Sequence, residues 1–181
     1  AAVAASGGSG SWTIQQATFS GEAKKLSARI LKEGKIPADD FANGPTRTQL
    51  RRKDPRGWAE FRDLMAGRPA MGAAMTLARV QAERPSLMGF EAELKACKVP
   101  TLLMVGDEDE ACIDINVWLK RIMPAAGLVM FPKCGHLMNL EEPARFNAEI
   151  AEFLRAVQGD AWPFREAAAG TFDGVGPAEK P

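Results

Sequence analysis

The residues best suited to chemistry are a single histidine and a cluster of acids that precedes it in the chain. His136 follows a glycine in the segment 132–143, and the run from Asp107 to Glu110 follows a short apolar stretch that ends in Gly106. A carboxylate at the end of one strand can orient and charge an imidazole at the end of the next, which makes the imidazole a general base. We therefore predict an acid–base pair, with no nucleophile evident beside it.

Cysteine chemistry is a second candidate, because Cys134 lies two residues before His136. Neighbouring loop residues rarely direct their side chains at one another, so a small buried thiol is the favoured interpretation of Cys134. The other two cysteines, Cys97 and Cys112, complete neither a disulfide framework nor a zinc-ligand spacing. We expect a reducing, cytoplasmic environment, and we expect no metal and no cofactor.

Composition argues against several classes of protein. Of the 181 residues, 46% are hydrophobic and 25% charged, and 23 basic residues balance 23 acidic ones. A formal charge of zero favours neither nucleic acid nor an anionic membrane surface as a partner. No run approaches the roughly 18 to 20 apolar residues of a membrane span. The alanine-rich start lacks the basic flank of a signal peptide.

The first half of the chain has helical periodicity after a short start rich in small residues. Residues 1–11 resemble the end of a strand that runs into a turn, and a linker would have the same composition. Residues 12–88 predict several short amphipathic helices, one ending at Gly34. Asp54 followed by Pro55 predicts the N-cap and first turn of another.

The second half alternates strands and helices, which is typical of an α/β fold. Residues 99–105 form a continuous apolar run that predicts a strand buried on both faces of a parallel sheet, and residues 127–131 predict a second strand. Helices are predicted over 114–123 and 141–157. Beyond Gly159 the composition predicts a loosely ordered tail, with Trp162 and Phe164 anchoring it. Two parallel strands make too small a sheet, so more strands are expected to belong to this fold.

These motifs resemble those of the α/β-hydrolase family. Residues 99–109 (VPTLLMVGDED) and 131–146 (FPKCGHLMNLEEPARF) are similar to the last two strands and the start of the final helix of that fold. The helices between residues 12 and 92 resemble the cap that the family inserts after its sixth strand. The resemblance covers about four fifths of the chain, and the two strand-end motifs are its most specific part.

The resemblance implies roles for particular residues. The acid is the third residue after the strand-ending glycine, which corresponds to Asp109, and the base is the histidine of the Gly-His pair, His136. Leu137 and Met138 are expected to line an apolar substrate pocket, although ordinary packing explains them equally well. The implied organisation is a strand end and turn at 1–11, a cap at 12–92, the carboxyl-terminal hydrolase core at 93–158 and a tail at 159–181.

The sequence departs from the family pattern at the nucleophile. The family places it in a Gly-x-Ser-x-Gly elbow ahead of the cap, and none of the 181 residues forms that motif. The closest approach is Ser9 between Gly8 and Gly10, where Ser11 replaces the final glycine. The resemblance implies the carboxyl-terminal part of a longer hydrolase, inactive alone, whose amino-terminal half is a missing partner; a homodimer is an alternative assembly.

Several functions remain open from these residues. With a serine nucleophile the complete enzyme would hydrolyse a small apolar ester, lactone or related carbonyl compound. With an aspartate nucleophile the same acid and base would serve a haloalkane or epoxide hydrolase. A non-catalytic binding or scaffold module is a further alternative. The last is a small helical interaction domain with an accidental Asp-His pair, which predicts that residues 99–131 are not parallel strands.

Overall fold

The sheet consists of three parallel strands in the computed structural model, which describes residues 1–165 except for the side chains of residues 13 and 14. The strands are β1 (Ala2–Ala5), β2 (Thr101–Gly106) and β3 (Ala126–Phe131). Their order is β1-β2-β3, and the register aligns the last residue of β2, Gly106, with the last residue of β3, Phe131. Both strands therefore end at the same edge of the sheet.

Strand β2 lies at the centre and is buried along its whole length. Leu102 and Met104 pack on one face of the sheet with Phe153, whereas Leu103 packs on the other with Leu119. Alternate side chains of a strand point to opposite faces, so a strand covered on both sides must be apolar throughout. This explains the continuous apolar run and confirms the predicted parallel strands.

Three helices of the second half cover the sheet. They are α7 (Glu110–Ile122), α8 (Met138–Glu141) and α9 (Pro143–Gln158). Phe153 of α9 meets Trp162 edge-to-face, with 4.8 Å between ring centroids, and the indole nitrogen of Trp162 donates to the Ala125 carbonyl over 2.9 Å. Trp162 thus fixes the chain after α9, whereas Phe164 is exposed. The rest of the predicted tail, residues 166–181, lies outside the described residues.

The segment between β1 and β2 is helical, and we call residues 13–96 the helical segment. It contains six α-helices, two 3₁₀ turns (Pro45–Arg47 and Leu87–Phe90) and one π-helical turn (Thr76–Gln81). The α-helices are α1 (Thr13–Glu33), α2 (Ala38–Ala42), α3 (Thr48–Lys53), α4 (Pro55–Ala66), α5 (Ala70–Met75) and α6 (Glu91–Ala96). A separate apolar cluster around Ile30, Ile36 and Ala74 joins α1, α2, α4 and α5.

Two helix boundaries in this segment match the sequence signals. Gly34 adopts a left-handed conformation, φ 66°, and its amide donates to the Ile30 carbonyl at the end of α1. The Asp54 carboxylate accepts the Gly57 amide over 2.9 Å and caps α4.

Other predicted boundaries were wrong. Helix α7 begins at Glu110, earlier than predicted, and the helix predicted over 141–157 is interrupted at Glu142 between α8 and α9. A proline ring clashes with helical geometry at the residue before it. Glu142, which precedes Pro143, accordingly has non-helical angles, φ −138° and ψ 57°. No helix within residues 1–165 has the length and apolar character needed to cross a membrane.

Candidate active site

Asp109 and His136 lie on two loops that follow neighbouring strands. The first loop begins after β2 with Asp107, and the second, which we call the histidine loop, runs from the end of β3 to Leu137. The loops are hydrogen-bonded to each other, because the Asp107 amide donates to the Phe131 carbonyl and the Glu108 amide donates to the Cys134 carbonyl over 2.9 Å. The ends of the two strands and their loops therefore form one connected structure.

Gly106 is what allows this close approach. A Cβ atom built at Gly106 would lie 2.2 Å from the Cys134 carbonyl oxygen, a distance that real Cβ atoms do not adopt. Any side chain here would force the two loops apart. The strand-ending glycine of the sequence motif thus serves the contact between the loops.

Asp109 and His136 form a direct hydrogen bond. The distance from Asp109 Oδ2 to His136 Nδ1 is 2.8 Å, the Asp109 side chain is 2% exposed and the His136 side chain is 34% exposed. A buried acid bonded to Nδ1 fixes the ring and leaves Nε2 for proton transfer. Among the described residues no group hydrogen-bonds Nε2, so it is free to act on a bound molecule.

The surroundings of Asp109 favour its charged form. Burial raises the pKa of this carboxyl, but the contacts with His136 and with neighbouring polar side chains outweigh burial and hold the pKa below its usual value. A carboxylate that stays ionised can stabilise an imidazolium beside it. The pair is therefore suited to general-base catalysis.

The other acids of the cluster have different partners. Asp107 Oδ1 accepts a hydrogen bond from the Cys134 amide over 3.0 Å. Both carboxylate oxygens of Glu108 accept from Gln49 Nε2, at 2.8 and 2.9 Å. Burial raises the pKa of Asp107, but hydrogen bonds from the backbone amides of Cys134 and Lys133 lower it by more, so the pKa lies below its usual value. Among these acids only Asp109 bonds the imidazole.

The cysteines near the pair are protonated and buried. Burial raises the pKa of Cys134 to about 12, and burial together with Asp109 raises the pKa of Cys112 to about 12. The Cys112 thiol donates to the Ser6 carbonyl over 3.2 Å. These environments disfavour a thiolate, as expected for inert structural cysteines.

Three residues of types that bind metals lie together at the same place. One ligand atom each of Asp109, Cys112 and His136 lies within 4.8 Å of the others. A metal would need the Cys112 thiolate and would have to replace the hydrogen bond between Asp109 and His136. The donor set therefore suits proton transfer better than metal binding.

Sequence reasoning assigned no contact with the pair to three further residues. The Thr46 carbonyl, in the helical segment, accepts the His136 amide over 2.9 Å. Glu141 is buried beneath the histidine loop. Arg47 lies near the carboxylates of Asp109 and Glu141. Burial lowers the pKa of Arg47, and these two negative charges oppose that effect. Such contacts join distant parts of the chain and leave no periodic pattern.

The predicted pocket role of Leu137 and Met138 stays a prediction. Met138 is 1% exposed in the core beside Phe153. A mainly apolar cavity of about 370 Å³ lies within the helical segment, and neither Leu137 nor Met138 lines it. Its walls are formed by Ile30, Ile36, Phe41, Met65, Arg68, Pro69, Gly72, Ala73, Thr76, Leu77 and Gln81.

Comparison with protein families gives a match over most of the chain. The family described as "Alpha/beta hydrolase family" matches residues 4–149, a range that includes the end of β1, all of β2 and β3, and both loops of the site.

Individual relatives match at lower identity. A putative 2-succinyl-6-hydroxy-2,4-cyclohexadiene-1-carboxylate synthase of Bacillus subtilis (strain 168) is 32% identical over 74 residues, which are 41% of this chain and 26% of that protein. The structure of MenH from S. aureus superposes with a TM-score of 0.72 at 20% identity, covering 80% of this chain and 54% of that one. A thermophilic esterase from Thermogutta terrifontis has a TM-score of 0.66 at 26% identity, covering 77% and 51%. The chain thus spans about half the length of these solved structures.

Proposed function

Because the chain belongs to the alpha/beta hydrolase family, we propose that Asp109 and His136 are the acid and the general base of a hydrolase. Its substrate is a small ester, lactone or related carbonyl compound. The similarity to the Thermogutta terrifontis esterase supports an ester as the first substrate class to test.

The observation that carries this proposal is the 2.8 Å contact between Asp109 Oδ2 and His136 Nδ1. The contact joins a buried carboxylate to a part-exposed imidazole at the carboxyl ends of adjacent parallel strands. Ligands and catalytic groups of parallel α/β sheets gather at that edge. An accidental Asp-His pair in a purely helical domain does not explain parallel strands at this position.

The geometry supports a division of labour between the two side chains. The Asp109 carboxylate accepts a hydrogen bond from Nδ1–H and so keeps the proton on Nδ1. Nε2 therefore carries the lone pair that accepts a proton from the nucleophile. The resulting imidazolium is stabilised by the adjacent carboxylate and then returns its proton to the leaving group. In the second half-reaction His136 takes a proton from a water that attacks the acyl carbonyl. The bond between the acyl group and the nucleophile then breaks, and His136 returns the proton to the nucleophile.

The nucleophile is proposed to come from residues outside this chain. No Gly-x-Ser-x-Gly motif is present in the 181 residues, and the chain spans about half of the solved relatives. Ser9 is not a good substitute, because its carbonyl and hydroxyl contact the Arg84 guanidinium in the turn before α1. On this proposal the 181 residues alone do not turn over substrate.

The helical segment is proposed to be the cap over this site. Two of its residues contact the site loops directly: the Thr46 carbonyl binds the His136 amide, and Gln49 binds Glu108. A cap that contacts the loops can exclude water from the reacting groups.

The experiment is ester hydrolysis by the protein as its gene encodes it, with short-chain p-nitrophenyl esters as the probe. His136→Ala should lower kcat by about 10⁴-fold, because the general base is lost. Asp109→Asn should lower it by a similar factor, because an amide favours the wrong imidazole tautomer.

The matched control is Asp114→Asn, an acid exposed on α7. It loses the same charge and should retain wild-type turnover. Esterase activity that survives both His136→Ala and Asp109→Asn would refute the proposed roles.

A further inference from the structure

The backbone that carries His136 is held at every amide. The four consecutive amides from Cys134 to Leu137 each donate a hydrogen bond to an acceptor outside those four residues. The acceptors are Asp107 Oδ1 at 3.0 Å, Glu141 Oε2 at 2.7 Å, the Thr46 carbonyl at 2.9 Å and Glu141 Oε1 at 3.3 Å. Loops usually satisfy many amides with water, so a fully bonded loop fixes the orientation of the residue it carries.

Glu141 supplies two of these acceptors, one on each side of the histidine. One carboxylate oxygen accepts from the Gly135 amide and the other from the Leu137 amide, so Glu141 binds the backbone on both sides of His136. The carboxylate is buried, with the residue 5% exposed. A buried carboxylate is costly unless hydrogen bonds compensate it, and here the compensating donors are the amides of the histidine loop.

The local sequence explains how Glu141 reaches this position. Helix α8 is a single turn, Met138–Glu141, that starts two residues after His136 and ends where Pro143 forces the chain out of helical geometry. That turn carries the chain back beneath the loop. The Glu141 amide itself bonds the Leu137 carbonyl over 2.8 Å, so the loop and the turn hold each other.

The helical segment contacts the opposite side of the same loop. A Cβ atom built at Gly135 would lie 2.1 Å from the Thr46 carbonyl oxygen and 3.2 Å from Glu141 Oε1. The loop therefore lies in close contact with the helical segment on one side and with the Glu141 carboxylate on the other. A shift of the His136 backbone would break one of these contacts.

We propose that Glu141 is a positioning residue for His136: its buried carboxylate binds the amides on both sides of the histidine and thereby aims the imidazole at Asp109. This inference rests on the proposed function for its catalytic meaning, but its structural content concerns the ring and the loop alone. Reacting groups misplaced by about 1 Å lose roughly 10²-fold in rate, so such a residue affects turnover without touching substrate.

The test uses the fact that the chain has one histidine, which gives one set of imidazole signals. In the wild-type chain, nitrogen-correlated NMR should show the proton on Nδ1, protected from solvent by Asp109. In Glu141→Gln, the side-chain NH₂ group faces one of the two backbone amides and cannot accept its hydrogen bond. The loop then no longer aims the ring at Asp109, so the protected Nδ1 proton signal should be lost. Glu152→Gln, which removes an exposed charge on α9, should keep the wild-type spectrum.

Turnover of the protein as its gene encodes it provides a second readout. Glu141→Gln should lower kcat by about 10- to 100-fold with KM nearly unchanged. A merely structural role would change the free energy of unfolding and leave both the ring signals and kcat of the folded protein as in wild type, which would overturn the inference.

Two further outcomes separate this inference from the proposed function. If the wild-type ring carries its proton on Nε2, the proposed acid–base pair fails and the inference fails with it. If the wild-type ring is bonded as expected and Glu141→Gln keeps the protected proton, only the role of Glu141 is refuted.

Hydrogen exchange of the wild-type chain decides the matter if Glu141→Gln does not fold. The amides of Gly135 and Leu137 should exchange at least about 100-fold more slowly than in an unstructured peptide, as expected for amides opened only by local unfolding. Exchange of both at unstructured rates would overturn the inference.

Discussion

At the scale of single residues, burial and hydrogen bonding determine which of several similar acids can act with the imidazole. Asp107, Glu108 and Asp109 are consecutive, yet they bind a backbone amide, a glutamine side chain and the imidazole, respectively. Their chemical differences arise from these partners, since isolated Asp and Glu carboxyls titrate close together. A cluster of acids in the sequence thus contains one member with the geometry of a catalytic acid.

The lowered pKa of Asp109 predicts a specific dependence of stability on pH. A carboxyl whose pKa falls on folding, here below 3.8, stabilises the fold above its unfolded pKa and loses that contribution as pH falls through the folded pKa. The free energy of unfolding should therefore fall more steeply for wild type than for Asp109→Asn between about pH 5 and pH 2. Urea denaturation across that range measures the two slopes.

Asp114→Asn is again the control, because it removes the same charge from an exposed position outside the pair. Equal slopes for wild type and Asp109→Asn would contradict the lowered pKa.

The contact between Asp109 and His136 could be anticipated from the sequence, but its supports could not. Strand-end placement and the family resemblance both pointed to these two residues. Glu141 was read as the start of a long helix, and Thr46 as one residue among amphipathic helices. Their roles depend on a backbone carbonyl and a one-turn helix meeting the loop in three dimensions, which neither propensity nor periodicity encodes.

At the scale of elements, glycines set the distances between the loops and the helical segment. Gly135 meets the Thr46 carbonyl where a Cβ atom would lie 2.1 Å away. Gly21, in the interior of α1, has no atom within 4 Å of its Cβ position. The same substitution should therefore have opposite effects at the two sites.

We expect Gly135→Ala to lower the free energy of unfolding by about 1–3 kcal/mol, because the added methyl forces backbone apart. Gly21→Ala should raise it by about 0.5–1 kcal/mol, because alanine is the better helix former. Chemical denaturation of both variants provides the comparison. A Gly135→Ala variant as stable as wild type would show that the loop and the helical segment are not in close contact.

The strands were easier to predict than the helices for a physical reason. Residues 102–105 are apolar because both faces of β2 are covered, and that pattern is unusual enough to recognise. The π-helical turn at Thr76–Gln81 gave no signal, since its i→i+5 bonding leaves no distinct sequence pattern. The early start of α7 was missed because Glu110, which suits the positive end of a helix, was grouped with the acidic turn.

At the scale of the whole molecule, the sheet has two strand edges that no described strand pairs with. Among residues 1–165, β1 and β3 each pair only with β2, and β1 is largely exposed. Unpaired strand edges offer backbone donors and acceptors to other chains. The 181-residue chain should therefore self-associate with increasing concentration.

Light scattering coupled to size-exclusion chromatography tests this expectation. Val3→Lys places a charge on β1, where Val3 is 42% exposed, and should reduce association. Val80→Lys changes an exposed valine of the helical segment in the same way and should not. A chain that stays monomeric at all concentrations, or that responds equally to both changes, would contradict a role for the β1 edge.

The most direct test of the account is the location of one proton on the lone imidazole. Nitrogen-correlated NMR of the wild-type chain should show His136 protonated at Nδ1, with a solvent-protected proton that disappears in Asp109→Asn and persists in Asp114→Asn. A proton on Nε2 in the wild-type chain, or an Nδ1 signal that survives loss of the Asp109 carboxylate, would contradict the acid–base pair on which the proposed function depends.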